Sequence, residues 1–130
     1  IAHGALGESL IHCASHVLGQ RPPQIAGIGV TVRDDPDAML PGARELLKQL
    51  DEGEGVLILS DICGATPCNL ARRLASPGKA ECVAGVNLPM LVRALTYRNE
   101  ALATVVKKAL SGGREGVMDM SGNCDAATGR

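Results

Sequence analysis

Gly55-Val56-Leu57-Ile58-Leu59-Ser60-Asp61 is the stretch that decides how this chain folds. Val56 to Leu59 is apolar without alternation, so a strand here must be covered on both faces, as inside a parallel sheet. Parallel strands need long crossovers, and the flanking sequence supplies them. Downstream, Asp61-Ile62-Cys63-Gly64-Ala65 leads into Thr66-Pro67, where Thr66 reads as an N-cap and Pro67 as the first helical position. That helix runs to about Ala75, where Ser76-Pro77-Gly78 stops it. Glu81–Val86 reads as a second strand, and Asn87-Leu88-Pro89 opens a helical stretch from Met90 with a break near Arg98-Asn99. Glu100–Leu110 continues as helix, Gly112-Gly113 closes it, and Glu115–Met120 reads as a last short strand. Ser121–Arg130 is small and polar, a loose tail.

Upstream, the apolar positions Leu6, Leu10, Ile11, Ala14, Val17 and Leu18 form a helical stripe that ends at Gly19. Ile28, Val30 and Val32 alternate, which makes Ile25–Val32 a strand. Asp35-Pro36 looks like a helix start, although Pro41-Gly42 leaves open a start at Pro41. Strands alternating with helices predict one α/β domain: a mostly parallel sheet with helices on both faces.

The 130 residues are 45% hydrophobic and 21% charged, ordinary for one globular domain. Thirteen basic against fourteen acidic residues give a net charge of −1, and Tyr97 is the sole aromatic. Nucleic-acid binding needs surplus positive charge and usually stacking rings, so it is disfavoured. No apolar run approaches the roughly 18 residues of a membrane span, and no signal-peptide pattern opens the chain. Cys13, Cys63, Cys68, Cys82 and Cys124 are an odd set without Cys-x-x-Cys spacing. They read as reduced thiols of a cytoplasmic protein. Cys63 and Cys68 are close enough for a metal or redox element, but no second pair accompanies them, so no metal is expected.

In an open parallel sheet, reactive groups gather beyond the carboxyl ends of the strands. There this sequence places His3-Gly4, Thr31 to Asp35, Asp61 through Thr66, and Asn87. A neutral imidazole is a good nucleophile toward phosphorus, and a carboxylate bonded to one ring nitrogen leaves the other free to attack. Asp61 can do this for His3. Amides at Gly4 and Ala5, and at Gly64 and Ala65 beside the Thr66 hydroxyl, can hold phosphate oxygens at helix starts. The set suits a transient phosphohistidine. No phosphate-loop, kinase or Gly-x-Ser-x-Gly signature is present. Plainer uses exist for each residue: His3 as surface decoration, Asp61, Thr66 and Asn87 as caps. His12 and His16, one turn apart, either bind a metal or sit on a solvated face.

Ile1-Ala2-His3-Gly4, Gly55 to Asp61 running into Gly64-Ala65-Thr66-Pro67-Cys68-Asn69, Val83 to Leu91, and Gly113 to Val117 occur in order. Together they resemble the IIA domain of the mannose-type sugar phosphotransferase system. The resemblance implies a cytoplasmic phosphohistidine carrier spanning residues 1–120, without a cofactor. His3 would take a phosphoryl group from the phosphocarrier HPr and pass it to a IIB domain. Asp61 matches the carboxylate paired with that histidine, and Thr66 stands where the family usually has a serine. Cys63 replaces an aromatic residue. The implied fold is a four-stranded parallel sheet in a homodimer, with the C-terminal strand exchanged between subunits. Only Ile1 and Ala2 precede His3, where the family has a full first strand, so an apolar slot in mid-sheet and a poorly fixed His3 are expected. Two alternatives share the chemistry: the phosphotransfer subunit of a dihydroxyacetone kinase, and a regulatory IIA module without a transport role.

Overall fold

Helix boundaries follow local chemistry. In the computed structural model, which describes residues 1–122, α1 (Leu6–Leu18) ends where Gly19 turns left-handed at φ 85°. The α2 helix (Pro36–Leu50) starts at Asp35, whose carboxylate accepts a hydrogen bond from the Asp37 amide at 3.0 Å. It runs straight through Pro41, which forgoes one backbone bond inside a helix already started. Asn87 caps α4 (Leu88–Thr96) by accepting from the Met90 amide at 2.9 Å. The break near Arg98 separates α4 from α5 (Leu102–Glu115).

The α5 helix corrects two expectations. Gly112 and Gly113 lie within it rather than closing it, and Glu115–Met120 forms no strand: Glu115 is helical and 117–120 is irregular. Packing decides this. A Cβ at Gly112 would sit 2.7 Å from the Arg93 Cβ, so the missing side chain lets α5 lie directly on α4. That close contact outweighs glycine's weak preference for ending helices.

Among the described residues four strands are present: β1 (Ala2–His3), β2 (Gly29–Val30), β3 (Val56–Ser60) and β4 (Ala80–Ala84). The expected four-stranded sheet is instead two parallel ladders. Ala2 and His3 register with Gly29 and Val30, and Val56 through Ser60 register with Ala80 through Ala84. The Ile1 backbone nitrogen donates to the Leu59 carbonyl at 2.8 Å and joins the ladders, so β1 lies beside β3. The second strand is shorter than Ile25–Val32 because only two of its residues have a partner in β1.

The unbroken apolar run of β3 serves two cores, as a covered parallel strand should. Ile58 packs with Ala43 of α2, Ala71 and Leu74 of α3 (Thr66–Leu74), and Ala80. On the opposite face Leu57 and Leu59 pack against Val83, Met90, Ala94, Val105 and Ala109 beneath α4 and α5.

Below Ile1 the two ladders part around a cavity of about 400 Å³, lined by Ile25, Ile28, Leu47, Val56 and Ile58. This is the expected mid-sheet slot. Gln24, Glu54 and Arg98 also line it. Arg98 donates to the Pro23 and Gln24 carbonyls at 2.7 and 3.1 Å. Among the described residues no helix is long and apolar enough to cross a membrane.

Candidate functional site

His3 and Asp61 end neighbouring strands, β1 and the residue after β3, on the carboxyl side of the sheet. The structure brings them into direct contact. The His3 backbone amide donates to Asp61 Oδ2 at 2.9 Å, and His3 Nδ1 lies 2.7 Å from the same oxygen. Asp61 Oδ1 accepts from the Ile62 amide at 2.9 Å, so neither carboxylate oxygen is idle. His3 is therefore well fixed, contrary to expectation: a hydrogen bond at each end of the residue replaces the support a longer strand would give.

The electrostatics follow from the same contacts. Burial of Asp61, whose side chain is 9% exposed, would by itself raise its pKa. The backbone and ring hydrogen bonds from His3 and the bond from Ile62 outweigh that burial and hold the carboxyl below its ordinary value. A carboxylate at Nδ1 selects the tautomer that carries its proton there. Nε2 is then left with its lone pair outward, on a side chain 53% exposed.

Helix starts flank this pair. Ala5 is the N-cap of α1 and Ala65 the N-cap of α3 (Thr66–Leu74), and neither helix has a side-chain cap. The first amides of both helices thus have no side-chain acceptor, although Pro67 in the first turn of α3 has no N–H to offer an anion. Thr66 is the first residue of α3 rather than its cap, because Ala65 takes the extended cap conformation at ψ 170°. Its hydroxyl makes no hydrogen bond among the described residues. Gly64, at φ 91°, supplies the left-handed turn before the cap. The Gly4 amide donates to the Val30 carbonyl at 2.9 Å, so it serves the sheet rather than a ligand.

Other candidates have structural partners. Asp34 Oδ2 accepts from the Thr31 amide and hydroxyl at 2.7 and 3.0 Å, closing a local turn. Asn87 caps α4 and also donates to the Gly113 carbonyl at 3.1 Å. His12 and His16 are exposed, with their rings edge-to-face at 4.8 Å. Cys63 is exposed and Cys68 buried, while Cys124 lies outside the described residues. One partner had no signal in the sequence: Arg72, nine positions beyond Cys63, donates from Nη2 to its Sγ at 3.3 Å.

A family model described as the PTS system fructose IIA component, EIIA-man, matches residues 1–110. The chain belongs to the mannose-type IIA family of the sugar phosphotransferase system. Within that mannose-type family, the mannose-specific EIIAB component of Escherichia coli K12 is 33% identical to it over 118 residues. The match takes in 88% of this chain and 36% of that protein, so the chain spans about a third of this relative. LevR, a transcriptional regulatory protein of Bacillus subtilis, is 39% identical over 62 residues, 47% of this chain and 6% of that protein. The crystal structure of a phosphotransferase system EIIA component from Streptococcus agalactiae shares the fold, with a TM-score of 0.80 and 23% identity. That alignment covers 92% of this chain and 93% of the other. The mannose-type IIA family is a phosphotransferase family.

Proposed function

We propose that this chain is a phosphohistidine carrier of the sugar phosphotransferase system, with His3 Nε2 as the atom that bears the phosphoryl group. The observation that carries the reading is the 2.7 Å contact between His3 Nδ1 and Asp61 Oδ2 beside an exposed ring. The lone pair of Nε2 attacks the phosphorus of a phosphohistidine on HPr. The donor's P–N bond breaks as the new one forms, and the donor imidazole leaves. The His3 ring becomes a cation that keeps its Nδ1 proton against Asp61, which stabilises the positive charge. Amides at the starts of α1 and α3, at Ala5, Gly64 and Ala65, with the Thr66 hydroxyl, receive the phosphoryl oxygens. The reverse sequence of bonds delivers the group to a IIB domain.

Incubation with phosphoenolpyruvate, enzyme I and HPr should place one acid-labile phosphoryl group on the chain. His3→Ala should carry none; equal labelling of that variant would sink the assignment. A homodimer belongs to the same reading, with exposed Val117 and Met120 as the apolar surface that a second copy covers. Sedimentation that gives a monomer at all concentrations would remove that part.

A second reading, a regulatory module whose phosphorylation state controls a partner, has one observation in its favour: the partial match to LevR. Efficient transfer from the phosphorylated chain to a IIB domain would favour the carrier. Stable retention of the group in the presence of IIB would favour regulation.

A further inference from the structure

The turn Ile62-Cys63-Gly64 joins Asp61 to the start of α3, and all three of its residues are exposed. Its internal bonds are few. Ile62 donates to the Asp61 carboxylate beside it, and the Ala65 amide reaches the Ile62 carbonyl only at 3.5 Å. Besides the Asp61 carboxylate, Arg72 is the side chain among the described residues that hydrogen-bonds to the turn from outside it: its Nη2 donates to Cys63 Sγ at 3.3 Å.

Arg72 is placed to do this by helix geometry. It lies in the last turn of α3, six residues beyond Thr66, which corresponds to about 9 Å along the axis. Side chains on a helix lean toward its N-terminus, so a long guanidinium stem lies back over the preceding turns and reaches the loop that opens the helix. Arg21, Arg73 and Arg93 pair with Glu8, Asp37 and Glu115, whereas among the described residues Arg72 has no carboxylate partner. A thiol is a weak, uncharged acceptor, so this contact involves no charge pairing.

We infer that Arg72 is a positioning residue for phosphoryl transfer at His3: through Cys63 it holds the 62–64 turn so that the opening amides of α3 face the phosphoryl group. The inference rests on the carrier reading above. It acts on the amides, not on the nucleophile, so the contact between His3 and Asp61 should be indifferent to it.

The test uses the full chain with Arg72→Ala, Cys63→Ala, Cys63→Ser and the double alanine variant. Each is assayed for phosphorylation rate from phosphoenolpyruvate through enzyme I and HPr, and for backbone amide exchange by NMR. Both single alanine variants should lose about three- to tenfold in rate, the usual scale for one hydrogen bond. Amide exchange at 64–66 should quicken in both, while the His3 amide stays protected. The double variant should be no slower than either single one, since both remove the same contact. Cys63→Ser, which keeps an acceptor, should recover most of the rate. A loss in Arg72→Ala with none in Cys63→Ala would overturn the inference and make Arg72 a direct charge partner. Unchanged amide exchange in Arg72→Ala would also overturn it. A wild-type chain that takes no label overturns the carrier reading and this inference together; normal labelling with no effect of Arg72→Ala overturns this inference alone.

Discussion

Asp61 Oδ2 binds His3 twice, through the backbone amide at 2.9 Å and through ring Nδ1 at 2.7 Å, across a sequence separation of 58. One oxygen therefore fixes both where the histidine sits and which of its nitrogens faces outward. A substitution at Asp61 should disturb the reaction before it disturbs the fold.

Asp61→Asn keeps the shape but removes the charge that stabilises the ring cation. A hydrogen bond to a charged group contributes about 1.5–3 kcal/mol, so the phosphorylation rate should fall roughly 10- to 100-fold. The circular dichroism spectrum should stay unchanged. Quench-flow labelling reads the rate, and a loss of less than twofold would show that the carboxylate has no part in transfer.

The acid response of stability should follow the same group. The folded-state pKa of Asp61 lies below its unfolded value, about 3.9. Its ionised form therefore stabilises the fold above that value, and this contribution is lost as pH falls through the lower, folded value. Urea unfolding of the wild type and Asp61→Asn should differ most near neutral pH. The difference should shrink as pH falls below the unfolded value toward the lower, folded one. A gap that widened with acid would contradict the assignment.

Ser60 stands one residue before Asp61, fully buried, and its hydroxyl has no hydrogen-bond partner among the described residues. A buried hydroxyl left unbonded costs about 1–3 kcal/mol. Ser60→Ala should therefore raise stability by about 1 kcal/mol, read as a higher urea midpoint with an unchanged slope. A lower midpoint would mean that the hydroxyl has a favourable partner.

Gly29 faces the turn that follows His3. A Cβ there would fall 2.3 Å from the Gly4 carbonyl oxygen, which is backbone and cannot swing aside. Gly29→Ala should thus separate β2 from the end of β1, with a loss of about 1–3 kcal/mol in stability. The His3 amide should lose protection from exchange at the same time. Full stability in this variant would show that the two strands shift apart freely.

Sequence patterning carried α1 to both of its ends, because an amphipathic stripe and a terminal glycine are local signals. It placed β3 for a similar reason: only a doubly covered strand tolerates Val56 to Leu59 in succession. The strand-end rule then pointed to His3 and Asp61. What decided α5 was not local. Gly112 breaks helices by propensity, and its close approach to Arg93 is a property of two helices together. Thr66 lost its capping role by a shift of one residue, a difference set by the backbone angle at Ala65. The tie from Arg72 to Cys63 has no periodicity at all, since it crosses from a helix's last turn to the loop before its first.

The cavity between the ladders is lined from Glu54 and Val56 up to Ala2 and Leu59, so it reaches the residue next to His3 and comes within two positions of Asp61. Backbone groups along a cavity edge open to solvent by small local fluctuations, at far less than the free energy of global unfolding. The two bonds from His3 to Asp61 therefore hold the reactive geometry beside the part of the sheet most ready to breathe.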